Sequence, residues 1–160
     1  MSDFALHPSN ESPIQPTERI AIVVSRWNNS ITEQLLLGAE RMITSYALTS
    51  QQYDVYWCPG AFEIPLTAKK VIQSGKYEGI VALGAIIRGD TPHFDFVASG
   101  ATQGIMQLML ETGVPIAFGI LTVNDLEQAT FRADPLRGNK GGEAVITLFE
   151  MLSLSRNQLS

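Results

Sequence analysis

One segment sets the expected architecture: Gly84-Ala85-Ile86-Ile87-Arg88-Gly89-Asp90-Thr91-Pro92-His93-Phe94-Asp95-Phe96. It begins as the end of an apolar strand, breaks at Gly89 and continues as a helix that carries His93, one of 2 histidines in the chain. Ligands of open parallel α/β sheets bind outside the carboxyl ends of the strands. We therefore expect the polar turn between Gly89 and His93 to lie in the functional site.

Apolar runs rich in β-branched residues predict four strands, at residues 20–24, 53–58, 79–87 and 115–122. Helical periodicity follows each strand, with two helices after the last one. The first helix starts with a capping box at Ser30 and Glu33, the second has Pro65 in its first turn and Gly75 as its left-handed stop, and the third ends at Gly113. Asn124 or Asp125 with Gln128 caps the fourth helix, and Asn139 precedes the last. The order predicts a three-layer α/β/α domain, in which helices cover both faces of a four-stranded parallel, flavodoxin-like sheet.

The length of 160 residues fits one domain, which we place at residues 19–156. Residues 1–18 hold Pro8, Pro13 and Pro16 among polar residues and are predicted to form an N-terminal arm. Two interpretations of this arm stay open. It is either a disordered tail or an extended strand that adds to the sheet edge of a neighbouring subunit.

Composition and charge exclude several classes of function. The net charge is −5 and no cluster of Lys or Arg is present, so we expect neither nucleic-acid nor anionic-membrane binding. The apolar runs are shorter than the roughly 20 residues that span a bilayer, and no secretory signal is recognisable, so a cytoplasmic location is expected. Cys58 is the single cysteine, which excludes an internal disulfide and a thiolate zinc cluster. No His pair has metal-binding spacing, and we expect no metal.

Two residues at predicted strand ends have both a functional and a structural interpretation. Trp27 follows the first strand and could lie flat under a planar ligand ring, or it could cover the core as a lid. Glu63 follows the second strand and could accept hydrogen bonds from ligand N–H or hydroxyl groups. It could equally be a favourable charge at a helix start.

The Gly89–His93 turn also suggests an anion site. Backbone N–H groups of Asp90 and Thr91, together with the side chain of Arg132, could hold a phosphate at a helix N-terminus. The alternative is a solvated turn and an ordinary surface arginine. Histidine moves protons near neutral pH, which makes His93 a candidate acid or base.

Gly100 and Gly104 lie four residues apart on the third helix, where each costs roughly 1 kcal/mol relative to Ala. A close helix–helix approach would offset this cost. We interpret the pair as a subunit contact.

Six strings of the sequence resemble the lumazine synthase family. The resemblance runs from about Arg19 to Met151, with the strings in the family's order and no insertion or deletion between them. They are Ser-Arg-Trp-Asn-Asn-Ser-Ile-Thr at 25–32, Pro-Gly-Ala-Phe-Glu-Ile-Pro at 59–65, Leu-Gly-Ala-Ile-Ile-Arg-Gly-Asp-Thr-Pro-His-Phe-Asp-Phe at 83–96, Phe-Gly-Ile-Leu-Thr at 118–122, Glu-Gln-Ala at 127–129 and Gly-Asn-Lys-Gly at 138–141. The resemblance implies condensation of 5-amino-6-(D-ribitylamino)uracil with 3,4-dihydroxy-2-butanone 4-phosphate to 6,7-dimethyl-8-ribityllumazine, the penultimate step of riboflavin biosynthesis. It implies a transferase that needs no organic cofactor or metal.

The resemblance also implies residue roles. His93 corresponds to the proton-transfer residue, and the phosphate would be held by Asp90, Thr91, Arg132 and Lys140. The ribitylaminouracil would contact Trp27, Asn28, Ala61, Phe62, Glu63, Ala85, Ile86, Ile87 and Phe118, the last from an adjacent subunit.

The family assembles as homopentamers, in some members as decamers or icosahedral shells, and riboflavin synthase is a possible partner. Three positions depart from the family pattern. Trp27 stands where many members have Phe, the acidic Asp90 lies beside the expected phosphate, and Asp134-Pro135 replaces a Gly-containing turn. Two other functions stay open: a non-catalytic flavin- or lumazine-binding protein, and a purely structural shell protein.

Overall fold

Four parallel strands form one sheet in the computed structural model, which describes residues 14–159. The strands are β1 (Ile20–Ser25), β2 (Tyr53–Cys58), β3 (Gly79–Ile87) and β4 (Ile116–Val123). The helices are α1 (Asn29–Ser45), α2 (Ile64–Gln73), α3 (His93–Thr112), α4 (Leu126–Ala133) and α5 (Lys140–Gln158). A short 3-10 helix, Ala61–Glu63, precedes α2 and was not predicted. The predicted order of elements is confirmed, and each strand limit agrees to within one residue.

The strands are ordered β2-β1-β3-β4 across the sheet, so β1 and β3 are central. Ile20 of β1 pairs with Tyr53 on one side and with Gly79 on the other. All of β1 and nearly all of β3 are buried, because helices cover both faces, and this explains their continuous apolar sequence. The edge strand β4 leaves Phe118 and Thr122 exposed.

Two apolar layers hold the helices on the sheet. On one face α1, α4 and α5 enclose a cluster that includes Leu35, Leu83 and Leu148, each at most 1% exposed. On the other face α2 and α3 cover a second cluster around Ile64, Ile80 and Ile105. Burying one such side chain contributes about 1.5–3 kcal/mol, so these layers fix the carboxyl ends of the strands in place.

The predicted capping box at the start of α1 is wrong. The helix begins at Asn29, its N-cap is Asn28 in the left-handed conformation (φ 59°), and no side chain caps it. Ser30 therefore lies inside the first turn. At α4 the prediction is confirmed: Asp125 is the N-cap, and its Oδ1 accepts a hydrogen bond of 2.8 Å from the N–H of Gln128.

Gly100 and Gly104 face their own chain rather than a neighbouring subunit. A Cβ at Gly100 would lie 2.6 Å from Cε2 of Phe62, and one at Gly104 would lie 2.8 Å from Cβ of Pro65. The predicted close approach is therefore real, but it joins α3 to the start of α2 and the 3-10 helix. The interpretation of this pair as a subunit contact is corrected accordingly.

The end of the predicted arm packs onto the domain. Ile14 is 1% exposed within the core, and Glu18 forms an ion pair of 2.7 Å with Arg156 of α5. Residues 1–13, the rest of the arm, lie outside the described residues. Among residues 14–159 no helix is both long and apolar enough to cross a membrane.

Candidate active site

A crevice opens at the carboxyl ends of the two central strands. The strand order reverses between β1 and β3, which is the switch point where sheets of this type bind ligands. The crevice has a volume of about 210 Å³. It is lined by Trp27, Asn28, Ala61, Ala85, Ile86, Ile87, Gly89, Thr91, His93, Phe94 and Val97.

Backbone hydrogen bonds join the loops that form this crevice. The N–H of Trp27, after β1, donates to the carbonyl of Pro59, after β2, at 3.0 Å. The side-chain amide of Asn28 donates to the carbonyl of Ala85 in β3, also at 3.0 Å. Asn tolerates the left-handed backbone that this bond requires. Asn28 is thus occupied in fixing the loop, which the sequence alone did not indicate.

Trp27 presents its indole to solvent within the crevice. The side chain is 64% exposed, so it does not act as a lid on the core. Its ring edge lies against Gly60, where an added Cβ would approach Cε3 to 2.7 Å. Of the two interpretations of Trp27, the structure favours the exposed plate, held by the glycine behind it.

Glu63 has a buried carboxylate oxygen beside this ring. Its Oε2 accepts no hydrogen bond from the described residues, although the atom is shielded from solvent. Buried polar atoms are nearly always paired, since an unpaired one costs about 1–3 kcal/mol. Glu63 does not line the crevice, so this oxygen meets a ligand only after the side chain turns, and both interpretations of Glu63 stay open.

The turn between β3 and α3 brings Thr91 and His93 into the crevice. Residues 88–93 are all exposed, so the turn is not held by packing. The N–H of His93 is 3.4 Å from Oγ1 of Thr91, and the imidazole makes no hydrogen bond or ion pair with residues 14–159. The ring is therefore free to exchange a proton with a ligand. Asp90 is exposed and does not line the crevice.

The remaining predicted residues lie in a second depression, along the free edge of β4. This groove has a volume of about 510 Å³. It is lined by Phe118, Gly119, Ile120, Leu121, Thr122, Val123, Arg132, Lys140, Glu143, Ala144 and Thr147. The crevice and the groove share no lining residue. One chain therefore does not bring the cations Arg132 and Lys140 into the same cavity as His93.

Glu143 in the groove was missed by the sequence analysis. Its carboxylate accepts a 2.6 Å ion pair from Nζ of Lys140, one helical turn earlier. The guanidinium of Arg132 donates only a long bond of 3.4 Å, to the carbonyl of Gln128. Arg132 is thus the more available cation, whereas the charge of Lys140 is partly neutralised by Glu143. The three-residue spacing of Lys140 and Glu143 was a usable signal.

Phe62 and Glu63 are the two predicted ring contacts that line neither the crevice nor the groove. Phe62 points away from the crevice. It is 58% exposed, and its ring lies over Gly100 of α3. The preceding Ala61 lines the crevice because the 3-10 helix points the two side chains in different directions.

The described residues that line the crevice include no cysteine. Burial is the largest of several causes that raise the pKa of the Cys58 thiol, which disfavours a thiolate nucleophile at neutral pH. No group of His, Cys, Asp and Glu side chains within residues 14–159 could hold a metal ion. What the cavities do supply is an aromatic plate, a free imidazole and anion-binding groups.

These features define an α/β enzyme of the open-sheet class, with its ligand site at the switch point of a parallel sheet. Residues 17–156 match the family model of 6,7-dimethyl-8-ribityllumazine synthase. The chain belongs to this family, whose members form 6,7-dimethyl-8-ribityllumazine in riboflavin biosynthesis, and it is accordingly a transferase.

Similar proteins bear the same name. A 6,7-dimethyl-8-ribityllumazine synthase of Chlorobium phaeovibrioides is 54% identical over 138 residues, covering 86% of this chain and 89% of the relative. The enzyme of Chlorobium luteolum is 52% identical, covering 87% and 90%. That of Deinococcus deserti is 48% identical, covering 86% and 88%.

Proposed function

We propose that the chain condenses 5-amino-6-(D-ribitylamino)uracil with 3,4-dihydroxy-2-butanone 4-phosphate in a site made from the crevice of one protomer and the groove of the next. The observation that carries this proposal is their complementarity. The crevice has the plate and the imidazole but no Lys or Arg in its lining, whereas the groove has Arg132 and Lys140 but no His. Stacking, proton transfer and phosphate binding together need both.

The pyrimidine ring binds on Trp27 in this proposal. Ala61 and the end of β3, Ala85 to Ile87, form the apolar wall of the crevice. The orphan oxygen of Glu63 accepts a hydrogen bond from the ring or the ribityl chain. Asn28 contributes mainly by fixing the loop. Phe118 of the neighbouring protomer, 42% exposed on the edge of its own sheet, closes the opposite face of the ring.

The phosphate binds where the crevice meets the neighbouring groove. The N-terminal end of α3 presents free N–H groups at residues 90–91, and the helix dipole favours an anion there. Arg132 of the neighbour supplies a charge-assisted bond, with Lys140 as the second cation. Only the backbone of Asp90 takes part, since its carboxylate would repel the phosphate.

The substrates themselves supply the nucleophile and the leaving group. The 5-amino group attacks the ketone carbonyl and forms a C=N bond with loss of water, and cleavage of the C–O bond releases phosphate. The ribitylamino nitrogen then forms the second bond to the four-carbon unit, with loss of a second water, and this closes the ring. His93 accepts and returns protons during these steps, a role that typically contributes a factor of 10²–10⁴. Holding amine and ketone in reacting geometry contributes the rest, without a cofactor.

A site divided between protomers requires an oligomer, and a head-to-tail interface that closes into a ring pairs every crevice with a neighbouring groove. A homopentamer meets this requirement, and decamers or icosahedral shells are built from the same unit. The Asp134-Pro135 turn, in the segment between α4 and α5, influences which of these assemblies the protein adopts. A cytoplasmic location and riboflavin synthase as a partner belong to the same proposal and are supported only by family membership.

The direct test mixes purified protein with both substrates and follows the fluorescence of the lumazine product. We expect a rate well above the uncatalysed background and a native mass that is a multiple of five chains. Tight riboflavin binding without turnover would instead identify a non-catalytic flavin- or lumazine-binding protein. The pentamer mass with no turnover and no ligand binding would identify a structural shell protein.

A further inference from the structure

Arg88 makes the most extensive side-chain contacts in the otherwise unpacked turn before α3. It follows β3 directly, and its N–H donates to the carbonyl of Val123 at 2.9 Å. Its guanidinium reaches Asp95 through two bonds, of 3.2 and 3.4 Å, and Oδ1 of Asn124 through a third of 3.4 Å. It also lies over the ring of Phe94, 4.2 Å from the centroid. One side chain thus joins the end of β3, the first turn of α3 and the loop after β4.

The turn depends on this side chain because little else holds it. Residues 88–93 are exposed, and a Cβ at Gly89 would meet nothing within 4 Å. The N-cap of α3 is Pro92, which has no side-chain cap hydrogen bond. Within the described residues, the other side-chain contact in this turn is the long bond from His93 N–H to Thr91. No side-chain cap fixes this helix start, and the packing of its first turn comes from Phe94, which lies against the apolar cluster under α2 and α3.

Arg88 acts on the residues immediately after His93. Phe94 and Asp95 are the next two residues of the first turn, and Phe94 lines the crevice beside His93. A planar guanidinium that bonds a carboxylate in two places and stacks on a ring fixes orientation as well as distance. Arg88 itself does not line the crevice, so it has no direct path to the ring of the substrate.

We propose that Arg88 is a positioning residue that holds the first turn of α3, and with it His93 and Thr91, in reacting geometry. This inference rests on the proposed function. It assigns to Arg88 an effect on the chemical step, through His93, and not on capture of the pyrimidine by Trp27. A displacement of about 1 Å at a reacting group can lower a rate by a factor of 10², so a modest clamp can have a measurable effect.

The test compares Arg88→Met and Arg88→Lys with Arg19→Met in the lumazine-formation assay. Arg19 is a matched control, because it too pairs with a carboxylate, Asp54 at 2.5 Å, and lies 6.0 Å from the Tyr77 ring centroid, but at the amino end of β1. We expect Arg88→Met to lower kcat roughly tenfold with the KM for the pyrimidine nearly unchanged. Arg88→Lys should recover part of the loss in kcat, since lysine keeps the positive charge but cannot form the two-bond contact of the guanidinium. Arg19→Met should leave kcat unchanged.

A double variant separates positioning from general stability. If Arg88 acts through His93, adding Arg88→Met to His93→Ala should lower kcat no further, since coupled residues are not additive. A full tenfold further loss would overturn the proposal. So would a variant with normal kcat and a raised KM for the phosphate substrate alone, which would make Arg88 a direct anion ligand. The wild-type rate is measured first, because a wild-type protein without turnover would contradict the proposed function and not the role of Arg88.

Discussion

The crevice and the groove lie at neighbouring strands of one sheet, yet they carry different chemistry. The crevice, at the carboxyl ends of β1 and β3, contains the exposed indole of Trp27 and the imidazole of His93. The groove, along the edge of β4, is more than twice as large, at about 510 Å³ against about 210 Å³, and contains two cations and a partly exposed Phe118. Each depression is half of a plausible active site. Under the proposed function, assembly of neighbouring protomers, and not folding of the single chain, completes the enzyme.

The largest expected effect is at His93 in the crevice. His93→Ala should lower kcat by about 10²-fold or more, because it removes the one acid–base group among the crevice-lining side chains. The KM for both substrates should change little, since neither the plate nor the cations are altered. Stopped-flow fluorescence of the product measures both quantities. Added imidazole should restore part of the rate, and a variant with near wild-type kcat would place proton transfer elsewhere.

The next effect is at Arg132 in the groove and should appear in a different kinetic constant. Arg132→Ala is expected to raise the KM for the phosphate substrate by roughly 10- to 100-fold, as a charge-assisted bond of about 1.5–3 kcal/mol is lost. The KM for the pyrimidine should stay the same. Arg137→Ala is the matched control, because Arg137 is already paired with Asp134 at 2.7 Å and lies outside the groove. Equal effects of the two substitutions would contradict a phosphate site at Arg132.

The smallest expected effect is at the indole of Trp27 in the crevice. Trp27→Ala should weaken pyrimidine binding about tenfold, within the roughly 1–3 kcal/mol range of ring stacking, whereas Trp27→Phe should weaken it only slightly. Since the chain has 2 tryptophans, Trp57→Phe leaves Trp27 as the sole tryptophan, and quenching of its emission on titration, with excitation selective for tryptophan, reports stacking directly. An unquenched Trp27 in the presence of saturating ligand would mean that the ring binds elsewhere.

The sequence was sufficient for the features that depend on local pattern. The apolar runs of β1 and β3 predicted buried strands, and the break at Gly89 located the turn that carries His93. Their central position in the sheet was not predicted. Trp27 and Thr91 were expected near strand ends, and both line the crevice there. The Asp125 cap of α4 was predicted from a spacing of three residues.

The predictions that were wrong concern features that depend on where side chains point in three dimensions. Ser30 has the right spacing for a cap, but Asn28 adopts the left-handed conformation and shifts the helix start. Gly100 was assigned to a subunit contact because the sequence could not show that Phe62 lies over it. The separation of Arg132 from the crevice, and the contacts of Arg88, arise from tertiary structure and have no local signal.

Complementation between two variants that are each impaired at low concentrations of the phosphate substrate tests most directly whether neighbouring protomers share each site. His93→Ala chains keep an intact groove and Arg132→Ala chains keep an intact crevice, so mixed rings contain interfaces at which both are native. Co-expression in equal amounts, assayed at low phosphate substrate, should restore about one quarter of the wild-type rate, because a random head-to-tail ring pairs the intact halves at one interface in four. A rate no higher than the mean of the two parent variants, in rings shown by native mass spectrometry to be mixed, would contradict a site shared between chains.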